Sequence, residues 1–145
     1  MSPRVFILED TPAWQQAFAA LLSQSGRYTV SCVTSDYAGV VQAFEALNTN
    51  CQKPDLMILD YCIPETEKFG PKTGVDVGYY LMELGVRPEQ MIIVSSSPPS
   101  EIGIPPYGNV PFAYLPKHRA ASELIQRLDE MCLMSGAPIG ATAPD

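Results

Sequence analysis

The sequence predicts an α/β fold, a parallel β-sheet covered by helices on both faces. Short uninterrupted apolar runs, Val5-Phe6-Ile7-Leu8, Leu56-Met57-Ile58-Leu59 and Met91-Ile92-Ile93-Val94, have the pattern of strands buried on both sides. They alternate with segments whose apolar residues recur at helical spacing, as right-handed strand–helix–strand crossovers require. Apolar content of 46% against 17% charged residues over 145 positions suits one domain with a core of its own.

The elements follow in order. After Val5–Leu8 the chain turns through Glu9-Asp10, and Thr11 is placed to cap a helix that Pro12 opens at its first position. Trp14, Phe18, Leu21 and Leu22 form that helix's apolar stripe, and Gly26 stops it. From Tyr28 to Val33 the pattern alternates, with Tyr28, Val30 and Cys32 expected on one side of a more exposed strand. Ser35 or Asp36 caps a second helix with the stripe Tyr37, Val40, Val41, Phe44 and Leu47.

Lys53-Pro54-Asp55 leads into the run ending at Asp60, and residues 61–73, punctuated by Pro64, Gly70 and Pro71, form a long loop. A third helix starts near Thr73 or Gly74, buries Val77, Leu81 and Leu84, and stops at Gly85. The fourth strand closes in Ser95-Ser96-Ser97, and Phe112-Ala113-Tyr114-Leu115 is the fifth, followed by Pro116-Lys117-His118. The last helix has one apolar face made of Ala121, Leu124, Ile125, Leu128, Met131 and Cys132. The domain is expected to span residues 1–134, with 135–145 a flexible tail or linker, since that stretch has no periodicity.

One place breaks the alternation. The segment Ser97–Pro111 should hold a helix but carries five prolines and two glycines. Each interior proline costs a helix about 3 kcal/mol. At most one turn, around Ser100–Gly103, is expected to survive.

Composition narrows the function. A net charge of −7 with no basic run argues against direct nucleic-acid binding. Four scattered cysteines and one histidine offer neither zinc-ligand spacing nor a disulfide framework. No signal segment and no membrane-length apolar stretch is visible, so a reduced, cytoplasmic setting without membrane contact is expected.

Ligands of an open parallel sheet bind beyond the carboxyl ends of its strands. Here those ends supply Glu9 and Asp10, then Asp60, then Ser95, then Lys117. Three acids gathered in a small space repel one another unless a hard cation or shared proton offsets them. Mg²⁺ suits such a set, being held by one or two carboxylates while keeping several waters. A nucleophilic carboxylate, with a hydroxyl and an ammonium to hold equatorial phosphoryl oxygens, suits phosphoryl transfer.

On VFILED, LMILDYCIP, IIVSS and YLPK, in that order, the chain resembles a bacterial two-component response-regulator receiver domain over roughly residues 4–133. The resemblance implies a five-stranded, doubly wound sheet of flavodoxin-like order 2-1-3-4-5. It implies Asp60 as phosphoacceptor from a histidine kinase or phosphotransfer protein, with partner affinity changing for a downstream protein. Asp10 would hold Mg²⁺ directly, Glu9 mainly through water, and Asp60 and the Cys62 backbone carbonyl would complete the protein ligands. Ser95 and Lys117 would contact the phosphoryl group, and Tyr114 would rotate as Ser95 is drawn inward. The domain would catalyse only its own phosphorylation and slow dephosphorylation. The sequence departs from this family where His118 replaces the proline that usually follows the lysine, where the loop after Pro64 is lengthened, and in the proline-rich fourth-helix region.

Two other readings compete. A pseudo-receiver would bind its partner without phosphorylation, which the altered 97–111 segment favours and intact Asp10, Asp60 and Lys117 disfavour. A phosphohydrolase of the haloacid-dehalogenase type wants a second acid two residues after the nucleophile, where Cys62 stands.

Overall fold

A computed structural model describes residues 2–50 and 53–137. Its strands are β1 (Arg4–Leu8), β2 (Thr29–Thr34), β3 (Leu56–Leu59), β4 (Met91–Ser95) and β5 (Ala113–Pro116). They pair in parallel in the order β2-β1-β3-β4-β5, as expected. The helices are α1 (Pro12–Ser25), α2 (Tyr37–Asn50), α3 (Gly74–Glu83), α4 (Pro99–Ile102) and α5 (Ala120–Ser135). Residues 138–145, most of the expected tail, lie outside the described residues. Among the described residues no helix is long and apolar enough to cross a membrane.

The period-two alternation of each central strand divides the core in two. Val5, Ile7, Leu56, Ile58, Ile92, Val94 and Leu115 point to one face, where α1 and α5 cover them with Phe18, Leu22, Leu124 and Leu128. Phe6, Leu8, Met57, Leu59, Met91 and Ile93 point to the other, against Val40, Phe44, Val77 and Leu81 of α2 and α3. The uninterrupted apolar runs are therefore explained by burial on both sides.

Three sequence expectations need correction. Val30 and Cys32 do not share a side: the β1–β2 register slips between Val5 and Phe6, which face Val30 and Cys32 respectively. That bulge inserts Ser31, so Val30 packs with the α1/α5 core and Cys32 with the α2/α3 core. Leu84 is 49% exposed because α3 has already ended there, and Gly85 then takes a left-handed φ of 95°. On α5 the buried residue of the first turn is Ala120, while Ala121 is exposed. The helix begins one residue earlier in phase than its apolar spacing suggests.

The caps differ in kind. Thr11 is the residue before α1, but its side chain makes no capping bond, and Pro12 in the first turn needs no donor partner. Asp36 Oδ1 accepts from Gly39 N–H at 2.7 Å, so Asp36 is the cap of α2. Thr73 and Asp76 form a reciprocal capping box on α3. This box fixes where α3 starts. It starts so close to β3 that a Cβ on Gly74 would lie 1.9 Å from the Asp60 carbonyl oxygen.

The proline-rich segment keeps a single turn, α4, ended by Gly103 at φ 93°. It is nonetheless anchored. Ile102, Val110 and Phe112 are buried in the α2/α3 core, and Val110 N–H donates to the Gly103 carbonyl at 3.1 Å. The long loop is likewise tied down by bridges joining Cys62 to Thr73 and Thr66 to Gly70, and by Phe69 packing on Tyr37 at 5.0 Å between ring centres.

Gly74→Ala should lower unfolding stability by about 1–3 kcal/mol in urea titration, because backbone must move to admit the methyl group. Ala at exposed position 121, changed to Ser as a control, should stay within about 0.5 kcal/mol of wild type.

Candidate functional site

β1 and β3 are adjacent, with Leu8 opposite Leu59, so the residues that come after each strand leave the sheet side by side. The ladder continues through their backbones: Glu9 N–H donates to Thr34 O at 2.9 Å and Asp60 N–H to Leu8 O at 3.0 Å. This pairing brings Glu9, Asp10 and Asp60 together, with one carboxylate oxygen from each lying within 4.8 Å of the others. Glu9 and Asp60 are buried, whereas Asp10 is exposed at the mouth.

Glu9 is fully buried and divides its oxygens between two neighbours. Oε2 accepts the Thr11 N–H at 3.0 Å. Oε1 lies 2.8 Å from Lys117 Nζ, an ion pair, although no donor is aligned with that oxygen for a hydrogen bond. Asp60 accepts the Tyr61 N–H on Oδ1 at 2.8 Å and Lys117 Nζ on Oδ2 at 3.2 Å. Lys117, 7% exposed, thus bridges two acids, and its ammonium also lies 5.1 Å from the centre of the Trp14 ring.

These neighbours raise both titrations, for different reasons. Burial, and then the nearby Glu9 carboxylate, push Asp60 up to about 6 against the pull of Lys117 and the Tyr61 N–H. Burial by itself would lower Lys117, but its contacts with Glu9 and Asp60 outweigh that effect and hold it above the usual lysine value. A cluster with more acid than one ammonium can neutralise fits a hard divalent cation.

On the neighbouring strands, Ser95 ends β4, is buried, and accepts the Ser97 N–H on its hydroxyl at 3.0 Å. Tyr114 on β5 is half-buried and donates its hydroxyl to the Ser97 carbonyl at 2.8 Å. Cys62 is exposed, and its Sγ lies 3.4 Å from Ser97 Oγ. His118 is exposed, one residue beyond Lys117; the cis peptide among the described residues is Pro105–Pro106, so Lys117–His118 is trans.

No family model matches the sequence, and no curated protein matches it significantly. Solved structures do match. The response-regulator receiver domain of PhyR from Erythrobacter litoralis superposes with a TM-score of 0.71 at 17% identity, over 97% of this chain and 97% of that one. The chain has the receiver-domain fold. A response-regulator receiver domain from Clostridium thermocellum gives a TM-score of 0.69 at 18% identity, over 92% and 97% of the two chains. The receiver domain of a modulated diguanylate cyclase from Desulfovibrio desulfuricans G20 gives 0.68 at 22% identity, over 94% and 98%.

Within this receiver fold Glu9, Asp10, Asp60, Ser95 and Lys117 lie at the carboxyl ends of the strands, and the Tyr114 hydroxyl reaches the same edge from within β5. Glu9, Asp10, Asp60 and Lys117 form one contact group, and Ser95, Ser97, Tyr114 and Cys62 a second beside it. Three contributors escape sequence reasoning. Trp14 reads there as a core residue of α1, Thr11 as a cap, and Gly74 only as a helix start. For Trp14 the available signal is its position four residues after Asp10, in the first turn of a helix that leaves the acid cluster.

Asp60 titrates near 6 when folded and near 4 when unfolded. A folded pKa above the unfolded one means that the folded state binds more protons between those values, so this group's contribution to stability falls as pH rises through that window. Asp60→Asn should therefore be more stable than wild type by about 1–3 kcal/mol at pH 7.5 in metal-free buffer. Urea midpoints measured from pH 7.5 to 4 should show the advantage shrinking below about pH 6.

Proposed function

We propose that this chain is a phosphorylation switch of a two-component system, receiving a phosphoryl group on Asp60 from a histidine kinase or a phosphotransfer protein. The observation that carries the reading is the convergence of Glu9, Asp10 and Asp60 within 4.8 Å, with Lys117 Nζ 3.2 Å from Asp60, at the carboxyl edge of a parallel sheet. In the transfer, a carboxylate oxygen of Asp60 forms a bond to phosphorus as the bond to the donor's imidazole nitrogen breaks. The product is an acyl phosphate, and the imidazole leaves neutral or takes a proton from solvent.

Glu9, Asp10, Asp60 and the Cys62 carbonyl would hold Mg²⁺, which supplies charge neutralisation at the phosphoryl oxygens. Lys117 contributes the protein's own positive charge. Its ammonium is already beside the nucleophile and can move onto a phosphoryl oxygen as Asp60 is esterified. Ser95 can donate its hydroxyl to the same group by turning away from the Ser97 N–H. That movement loosens the loop whose carbonyl holds Tyr114, so the site and the 97–111 segment are coupled through one short chain of contacts.

One feature favours the phosphorylation-independent alternative: α4 is a single turn, so the surface that most receivers use for output is reduced. Incubation with acetyl phosphate separates the two. The intact mass should rise by one phosphoryl group in the presence of Mg²⁺, not with EDTA, and not in Asp60→Asn. Persistent labelling of Asp60→Asn would remove Asp60 from its role, and an unlabelled wild type would favour the pseudo-receiver.

Lys117→Ala should still accept phosphoryl groups, because the metal supplies much of the neutralisation during transfer. Its phosphorylated form should fail to reproduce the altered hydrogen exchange of wild type over residues 97–111. Indistinguishable exchange patterns for the two phosphorylated proteins would count against a signalling role for the ammonium.

A further inference from the structure

We infer that Trp14 is a positioning residue for Lys117: its indole face confines the buried ammonium beside Asp60 without adding another negative charge. This role deepens the phosphoacceptor reading and rests on it.

A buried ammonium needs partners in several directions. Lys117 is 7% exposed, so water cannot replace what the protein fails to provide. Two directions are taken by Glu9 Oε1 at 2.8 Å and Asp60 Oδ2 at 3.2 Å. The Trp14 ring lies 5.1 Å away, inside the range in which an aromatic face attracts a cation. A third carboxylate there would add to a surplus of acid that one ammonium already fails to neutralise. An aromatic face stabilises the cation and leaves that balance unchanged.

The ring is itself held. Trp14 packs on Phe18 at 5.5 Å between ring centres and belongs to the α1/α5 core. Thr11, one turn earlier, donates its N–H to Glu9 Oε2. The start of α1 therefore fixes both the acid and the aromatic that grip Lys117, and the two stay in register with each other.

The aromatic contact also differs in geometry from the ion pairs. A carboxylate oxygen rewards one direction of approach, whereas a ring face tolerates lateral movement of the cation across it. When the Asp60 oxygens are engaged by a phosphoryl group, the ammonium has to shift its donors onto the new oxygens. Contact with Trp14 can persist through that shift and keep the lysine from turning out to solvent.

The test compares Trp14→Phe, which keeps a π face, with Trp14→Leu, which keeps only apolar bulk. The ligand is beryllofluoride with Mg²⁺, a stand-in for the phosphoryl group, and affinity is measured by calorimetry alongside urea stability. Trp14→Phe should bind within about threefold of wild type and Trp14→Leu roughly tenfold more weakly at matched stability. Equal affinity for the two variants would reduce Trp14 to a packing residue and overturn the proposal.

A second arm needs no phosphoryl analogue. In the free protein the Lys117 ε-methylene protons should be shifted upfield by the ring in wild type and in Trp14→Phe, and return to ordinary positions in Trp14→Leu. Trp14 is the single tryptophan, so Lys117→Met should also alter the protein's tryptophan emission. If wild type fails to bind beryllofluoride, the phosphoacceptor reading falls, while the upfield shift still supports the hold on Lys117. Ordinary Lys117 shifts and unchanged emission overturn it whatever beryllofluoride does.

Discussion

A buried ammonium among too many carboxylates is the condition around which this molecule is arranged. Lys117 cannot reach bulk water, and neither can Glu9, so each is stable only while the other is in place. Asp60 joins them at 3.2 Å and makes the cluster net negative. No rearrangement within the cluster satisfies all three acids with one lysine. That surplus of charge would suit a bound cation, and burial together with the Glu9 carboxylate holds the Asp60 carboxyl above the usual aspartate value.

The sheet makes the compromise reproducible. β1 and β3 are adjacent and in register, and beyond their last residues Asp60 N–H pairs back to Leu8 and Glu9 N–H to Thr34 of β2, so Glu9 and Asp60 have little positional freedom. Lys117 arrives from the far edge strand, in a short turn between β5 and α5. Helix α3 closes the opposite side, packed on the Asp60 carbonyl at a spacing that only glycine permits. The acid cluster and its lysine stand at the ends of regular strands, and the irregular parts, residues 61–73 and 97–111, lie beside them.

Legibility in the residues divides along physical lines. Buried strands of a parallel sheet must be apolar on both faces, so β1, β3 and β4 stand out as unbroken runs and their terminal acids with them. The edge strand β2 obeys no such demand. Its alternation is visible, but a bulge at Ser31 reverses the facing of the residues beyond it, and a single inserted residue leaves no compositional trace. Helix ends are obscured for a related reason: Leu84 continues the apolar spacing of α3 after the backbone has stopped being helical. The prolines of the 97–111 segment rule out a full helix, and none forms. Its anchoring through Ile102 and Val110 is hidden, because isolated apolar residues among prolines have no period to reveal where they point. Contacts made across the fold, such as Trp14 with Lys117, involve residues 103 positions apart, and no local pattern records them.

The hydroxyl of Tyr114 is bound to the backbone carbonyl of Ser97, not to a side chain. Every amino acid offers that carbonyl, so position 97 can change through evolution without breaking the tie. The same holds for the N–H through which residue 97 reaches the Ser95 hydroxyl, unless proline arrives there. The side-chain requirements of this linkage therefore fall on Ser95 and Tyr114. Residue 97 enters the linkage through its backbone alone, so its side chain, which meets Cys62 Sγ at 3.4 Å, can change while the connection beneath it stays fixed.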